Sequence, residues 1–303
     1  MQIGIFESAA SAGGTIDGLV ASAEKAHYDG FASWWVPQIF GFEALALLGI
    51  VGREVPEIAL GTAVVPTFPR HPVTMAQEAL TAQAAADGRV TLGIGLSHQM
   101  VIENMFGMSF DKPARHMAEY LAVLQPLLRG EGVSHQGDVI TTAMTLTMPR
   151  GISAPPVLVA ALGPRMLALA GSEASGTVTW MTGPNTLESH IVPTITAAAA
   201  EADRSAPQVV AALPVAVTTD PDAARARCAS LFEMYGLLPS YRAMLDREGA
   251  AGPADVAIVG DEKAVRTQIM HLADIGVTEF VAVESGRPGD EADRTRELLR
   301  SLV

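Results

Sequence analysis

The chain has 303 residues, 49% of them hydrophobic, so it is long enough to bury one large core and we expect a single domain over residues 1–303. A formal net charge of −13 argues against nucleic acid or an anionic membrane as the main partner, and no apolar run reaches the length of a membrane span. A lone cysteine, Cys228, and an opening that predicts a strand rather than an export signal lead us to expect a cytoplasmic protein.

Short apolar runs alternate with helical patterns along most of the chain, which is typical of βαβ units in a parallel sheet. Several runs are apolar along their whole length, as expected for strands that are covered on both sides. Eight such units predict a closed (β/α)8 TIM barrel. The predicted strands are residues 2–6, 31–35, 58–64, 90–94, 157–160, 177–180, 209–217 and 279–283.

Two segments break this rhythm and are expected to be insertions that shape the site. Residues 105–156 contain more chain than one crossover helix needs, with an amphipathic helix predicted at 113–128 and a small hairpin near 130–138. Residues 236–253 are predicted to be irregular and to form a lid after the seventh strand. Structural padding or a dimer contact is the alternative for both.

The fourth strand carries the leading catalytic candidate, because ligands of such barrels lie beyond the carboxyl ends of the strands. This strand ends at Gly93-Ile94-Gly95, which lacks the third glycine of a dinucleotide fingerprint, and is followed by Ser97 and His98. An imidazole at this position can accept or donate a proton near neutral pH. A capping or surface role is the alternative for His98.

Gln38 follows the second strand between Trp35 and Phe40, which gives one amide and aromatic faces suited to a flat ligand. Packing in the core is the alternative for these aromatic residues. His116 and Glu119 lie three residues apart on a predicted helix, but a pair without a third ligand is weak evidence of a metal site, and we expect none.

A helix predicted to begin at Gly163-Pro164-Arg165, after the fifth strand, would point free N–H groups at the rim and favour an anion. Arg165 is interpreted either as a contact to that anion or as an ordinary solvated residue. Thr182 and Gly183, after the sixth strand, would add a hydroxyl and a flexible backbone at the same end of the barrel.

Six segments together resemble the bacterial luciferase-like superfamily, and within it the oxidoreductases that use the deazaflavin coenzyme F420. They are Trp35-Val36-Pro37-Gln38-Ile39-Phe40-Gly41, Gly61-Thr62-Ala63-Val64-Val65-Pro66, Arg70-His71-Pro72, Gly93-Ile94-Gly95-Leu96-Ser97-His98-Gln99, Pro113-Ala114-Arg115-His116-Met117-Ala118-Glu119-Tyr120-Leu121 and Val259-Gly260-Asp261-Glu262.

The resemblance implies a barrel, usually a homodimer, that binds an isoalloxazine-type ring at the carboxyl ends of its strands. Relatives that bind deazaflavin carry a bulge with a non-prolyl cis peptide behind the ring, which would fall at Ala63-Val64. Leu96, Ser97 and His98 match the positions that meet the ring and its side chain in these relatives. Leu162, Gly163 and Pro164 match the loop that holds the phosphate region.

The chain departs from the sugar-phosphate dehydrogenases of the superfamily at two places. They carry an Asp-His pair after the second strand and a lysine for the substrate phosphate, whereas this chain has Pro37-Gln38 and Pro184. Glucose 6-phosphate is therefore not an expected substrate. His98 is left as the main proton donor or acceptor, Gln38 is a further catalytic candidate, and Glu7, after the first strand, is a reserve candidate with Glu43.

These features predict a two-electron oxidoreductase that transfers a hydride between F420 and a small organic substrate such as an enone or imine, with His98 supplying the proton. One alternative is a monooxygenase that uses reduced flavin mononucleotide (FMN) and oxygen, fed by a separate reductase. The alternative from another class is a barrel that binds flavin or deazaflavin without catalysis.

Overall fold

A computed structural model describes residues 1–8, 13–149 and 151–303 of the chain. Its strands, in chain order, are β1 (Gln2–Phe6), β2 (Ser33–Val36), β3 (Ala59–Thr62), β4 (Val65–Pro66), β5 (Val90–Gly95), β6 (Val133–Gln136), β7 (Thr141–Met144), β8 (Val157–Val159), β9 (Gly176–Trp180), β10 (Gln208–Val217), β11 (Ile258–Gly260) and β12 (Glu279–Glu284).

Eight of these strands close into a parallel barrel in the order β1, β2, β3, β5, β8, β9, β10 and β12, and β12 pairs again with β1. The predicted (β/α)8 barrel is thereby confirmed, and the eight predicted strands are its eight members. Two short strands extend this ring: β4 pairs with the end of β5, and β11 pairs with the end of β10.

The helices are α1 (Ile16–Tyr28), α2 (Ala44–Glu54), α3 (Pro72–Ala85), α4 (Pro113–Leu128), α5 (Pro164–Glu173), α6 (Pro184–Thr186), α7 (Val192–Glu201), α8 (Pro221–Leu237), α9 (Pro239–Glu248), α10 (Glu262–Asp274) and α11 (Asp290–Arg300). Side chains of Thr15, Glu43 and Asp261 accept backbone N–H groups and thereby start α1, α2 and α10. Within the described part of the chain, no helix is both long and apolar enough to cross a membrane.

Alternate side chains of the strands pack inside and outside the barrel, as the period of two requires. Trp34 belongs to the large cluster between the strands and the helices, whereas Trp35 lies in the barrel interior. The interior cluster also contains Leu158, Val178 and Val281. Both faces of the strands are therefore buried, which is the reason their sequences are apolar throughout.

The predicted helix 113–128 is α4 with the same bounds, and the hairpin that follows consists of β6 and β7, so it extends further than predicted. Glu119 on α4 holds the turn of this hairpin, because its carboxylate accepts the N–H groups of Asp138, Val139 and Ile140 at 3.0, 2.9 and 2.8 Å. Residue 150, within the predicted insertion, lies outside the described residues.

The prediction of an irregular segment at 236–253 was wrong, because α9 occupies most of it and follows α8 directly. Pro239 starts α9 at a position where its missing N–H costs nothing, and Gly249, with φ of +77°, ends it in the left-handed region. These two helices lie beside the mouth of the barrel, where they contribute side chains to the cavity described next.

Candidate active site

A cavity of about 1880 Å³ opens at the carboxyl ends of the barrel strands. Residues that follow β1, β2, β3, β5, β8 and β12 form its wall, and side chains of β9, α8 and α9 complete it. Pockets for a single small ligand are typically about 300–1,000 Å³. The cavity is therefore large enough to hold a cofactor and a substrate together.

His98 lies on the cavity wall directly beyond β5. Ser97 has φ of +60°, and this left-handed turn separates the strand from the π-helical turn that begins at Val101. The carbonyl of His98 accepts the N–H groups of Val101 and Ile102 at 2.9 and 3.0 Å, so its backbone is fixed. Its half-buried ring lies 5.5 Å from the ring of Tyr241. Burial lowers the pKa of His98 below its ordinary value, which favours the neutral imidazole at pH 7.

The bulge between β3 and β4 forms another part of the wall, with Ala63 and Val64 facing the cavity. The peptide bond that joins them is cis, as the resemblance predicted. A Cβ at Gly95 would come within 2.7 Å of Val64 Cγ2, and one at Gly93 would overlap the carbonyl of Thr62. The glycines of β5 are therefore explained by the close approach of this bulge, and not by a dinucleotide fingerprint.

Leu96, Ser97, Leu162 and Gly163 also line the cavity, so the structure brings the residues after β5 and β8 together with the bulge. A Cβ at Gly163 would have no heavy atom within 4 Å, so the backbone there borders open space. This side of the cavity is thus a mostly apolar surface of small residues.

Four predicted cofactor contacts lie elsewhere: within the described chain, Pro164, Arg165, Thr182 and Gly183 do not line the cavity. Arg165 instead borders a shallow groove on the outer surface between α4 and α5, together with Arg115. The helix that begins at Gly163 turns this side chain outward, a direction that strand-end position alone does not determine.

Thr182 and Gly183 are also engaged by the protein itself. The buried Thr182 hydroxyl donates to the carbonyl of Trp180 at 3.2 Å. Next to Gly183, the carboxylate of Glu248 accepts the N–H groups of Asn185 and Thr186 at 3.1 and 2.7 Å. The anion at this helix start is thus a side chain of α9.

Gln38 and Glu7 both line the cavity, and both hold neighbouring helices. Gln38 Oε1 accepts the N–H of Ala44 at 2.7 Å, at the start of α2. Glu7 Oε2 accepts the hydroxyl of Ser22, on α1, at 2.6 Å. Each side chain has a structural role in addition to any role in chemistry.

Sequence analysis missed an aromatic wall on the far side of the cavity. Trp180 at the end of β9 lies 5.3 Å from Phe232 and 5.7 Å from Tyr235, both on α8, and Tyr235 lies 5.3 Å from Tyr241 on α9. All four line the cavity. The helical spacing of Leu231, Met234 and Tyr235 could have indicated this wall, but only if the bounds of α8 had been predicted.

Two metal-ligand candidates also have structural partners. His116 Nε2 lies 3.0 Å from Thr67 Oγ1, and its ring stacks on Phe68 with 4.0 Å between centroids. Glu119 is occupied by the hairpin turn. Among the residues that the structure describes, no group of three or more histidine, cysteine or acidic residues has the arrangement to hold a metal ion.

The closed barrel and its cavity at the carboxyl ends define an α/β-barrel protein with room for a large planar ligand. Residues 1–302 match the family model of the luciferase-like monooxygenases, so the chain belongs to this family. The predicted membership of the luciferase-like superfamily is confirmed.

The relatives found include a 5,10-methylenetetrahydromethanopterin reductase of Methanolobus tindarius, which is 27% identical over 300 residues, 89% of this chain and 90% of that protein. Among solved structures, the coenzyme F420-dependent tetrahydromethanopterin reductase from Methanopyrus kandleri has a TM-score of 0.83 at 23% identity, over 100% of this chain and 98% of that one.

Another similar structure is the oxygenating constituent of 3,6-diketocamphane monooxygenase from Pseudomonas putida, in complex with FMN. It has a TM-score of 0.76 at 17% identity and covers 99% of this chain and 96% of that one. At these identities, the two solved structures show the barrel fold, and the coenzymes that their names give are properties of those proteins.

Proposed function

We propose that this protein is an oxidoreductase that transfers a hydride between coenzyme F420 and a small organic substrate. The observation that carries this proposal is the position of His98, half-buried on the wall of a cavity with room for cofactor and substrate together. The F420-dependent reductase among the solved structures and the methanopterin reductase among the relatives support the choice of coenzyme.

The residues of the cavity fit a flat ring. The bulge at Ala63 and Val64 presents a small apolar surface, and it packs so closely on Gly95 that no side chain intervenes. Leu96 and Ser97 would border the ring, and the open backbone at Gly163 would face the phosphate region. When bound, F420 supplies or accepts a hydride with its electron pair.

His98 supplies the proton transfer that accompanies the hydride. Because its pKa is lowered, the imidazole is neutral at pH 7 and ready to take the proton from a substrate hydroxyl as the hydride leaves the adjacent carbon. In the reverse direction, protonated His98 returns the proton to the oxygen or carbon that becomes electron-rich. Gln38, which accepts the N–H of Ala44, and Glu7, which accepts the hydroxyl of Ser22, hold α2 and α1 beside the cavity.

The test is an anaerobic assay in which reduced F420 is mixed with the protein and a panel of ketones, enones and imines. We expect protein-dependent oxidation of the coenzyme with at least one acceptor. A parallel assay with reduced FMN and oxygen covers the second candidate, a monooxygenase supplied by a separate reductase, which the FMN-bound neighbour favours. Turnover only with FMN and oxygen would replace the first proposal, and binding without turnover in either assay would favour a non-catalytic barrel.

The predicted homodimer remains a proposal alongside the enzyme. Three apolar side chains that line the cavity, Phe40, Leu231 and Met234, are exposed by 64%, 68% and 56% in the single chain. Exposure of this kind fits surfaces that are covered by substrate or by a second copy.

A further inference from the structure

Two arginines line the active-site cavity on the side away from the bulge. Arg227 lies on α8, and Arg287 lies in the loop after β12. Building on the proposed function, we propose that this wall binds the substrate, and that the substrate is an organic carboxylate with an extended apolar body.

One carboxylate orients both guanidinium groups. Glu291, on the first turn of α11, accepts Arg227 Nη2 at 2.6 Å and Arg287 Nη2 at 2.8 Å, and Thr218 donates to it at 2.9 Å. Nη1 of each arginine has no hydrogen bond to a described residue. The two groups are therefore fixed by one partner, and each retains a donor for another.

Glu291 and Asp220 are two carboxylates beside the arginine pair, so their charges together offset those of both guanidinium groups. Hydrogen bonds from Arg287, which outweigh burial, lower the pKa of Glu291 to about 2, so it carries one negative charge. Glu284 on the same wall already pairs with Arg296 at 2.6 Å. Asp220 lies near Arg287 but caps α8 by accepting the N–H of Ala223 at 3.0 Å, and it forms no ion pair within the described chain. With the charge balanced, the free Nη1 donors of Arg227 and Arg287 make this wall of the cavity suited to a carboxylate.

The helix that carries Arg227 also supplies an apolar strip toward the catalytic side. Leu231, Met234 and Tyr235 follow at four, seven and eight residues, which places them on the same face, and all line the cavity. Leu231 and Met234 are 68% and 56% exposed, so a bound apolar group would remove them from water. From Arg227 to Tyr235, which lies beside Trp180, the helix rises about 12 Å. We expect the apolar body of the substrate to have about this length.

A preference for carboxylates would distinguish this proposal from a purely structural role, in which the arginines only join α8 to α11. An ion-pair tie has no preference between an acid and its neutral amide. Binding by the two free Nη1 groups favours the acid, because a carboxylate offers two charged acceptors in one plane, whereas an amide offers one neutral acceptor.

The experiment is isothermal titration calorimetry of the full-length protein with ω-phenylhexanoate and, separately, with ω-phenylhexanamide. We expect the acid to bind at least about tenfold more tightly than the amide, with an affinity that falls as salt is raised. Equal affinity for the two compounds, or binding of neither, would overturn the proposal without any variant.

Variants locate the site. Arg287→Gln and Arg227→Gln should each reduce the preference for the acid to about threefold or less and leave binding of the amide unchanged. Arg294→Gln, which breaks an exposed pair with Glu262 and Asp290 on α11, is the matched control and should keep the full preference. A preference that persists in both cavity variants would contradict the assignment.

Binding of F420 to the same preparations separates this proposal from the proposed function. Retained acid preference in a protein that binds no F420 would refute the choice of coenzyme and support the carboxylate site. F420 binding with no preference for the acid would support the choice of coenzyme and refute the carboxylate site.

Discussion

His98 is the residue on which the proposed chemistry depends most directly, because it combines a position on the cavity wall with an imidazole that burial keeps neutral. Gln38 and Glu7, the other catalytic candidates, reach the same cavity but accept hydrogen bonds that hold α2 and α1. This difference in engagement makes His98 the residue to replace first.

Replacing His98 with Ala should lower turnover about 10²- to 10⁴-fold, a much larger effect than any on F420 affinity, because a general acid–base group acts on the transition state. In the direction that oxidises an alcohol, wild-type turnover should fall as pH drops through the pKa of His98, which burial places below that of a free imidazole, because the protonated ring cannot accept the proton. The variant should lose this dependence. The rates are measured from pH 5 to 8 with Gln77→Ala, an exposed residue of α3 that does not line the cavity, as the control. Unchanged turnover in the His98 variant would remove this residue from the mechanism.

At the scale of elements, α4 is joined to the segment after β4 by one buried histidine. His116 stacks on Phe68 and hydrogen-bonds Thr67, and burial lowers its pKa to about 4. The folded state therefore favours the neutral ring, and the unfolded chain is protonated below about pH 6.5. The contribution of His116 to the free energy of unfolding is fully present above about pH 6.5 and is lost as pH falls toward 4. The total loss is about 3 kcal/mol.

His116→Gln should reduce this pH dependence. Between pH 7.5 and 4.5, the free energy of unfolding of the wild type should fall by about 2 kcal/mol more than that of the variant. Urea unfolding at the two pH values measures both quantities, with His27→Gln on the surface of α1 as the matched control. The same pH dependence in wild type and His116 variant would show that this histidine titrates freely in the folded protein.

The helices also show where sequence reasoning reached its limit. The strands were found because burial on both faces makes them apolar throughout, and α4 was found because one face is apolar. The bounds and the cavity-facing side of α8 were not predicted, because this helix buries only Ala224 and Cys228 and presents a separate apolar face, with Leu231 and Met234, to the cavity. Its pattern therefore does not resemble that of a helix packed on a core.

The same limit applies to individual site residues. Position after a strand correctly placed His98, Gln38 and Gly163 at the cavity, because strand ends share one rim. It could not place Arg165, whose direction depends on the rotation of α5, or reveal that Glu248 is bonded to the start of α6. Contacts between elements distant in sequence determine both.

On the scale of the whole molecule, the barrel brings a small apolar surface after β3, β5 and β8 opposite a wall of aromatic residues and arginines from β9, α8, α9 and the loop after β12. On the proposed function, the first surface binds the cofactor ring and the second binds the substrate. His98 lies next to the first and contacts Tyr241 of the second.

The most direct test of this arrangement is a fluorescence titration of the protein with oxidised F420 and, separately, with FMN. Trp180 lines the cavity, whereas Trp34 and Trp35 are buried in the core, so quenching by a bound ring should come mainly from Trp180 and largely disappear in Trp180→Phe. We predict saturable quenching by F420 at concentrations where FMN has little effect. Preferential binding of FMN would contradict the proposed coenzyme. F420 binding in which quenching is unaffected by Trp180→Phe would contradict its place in the cavity.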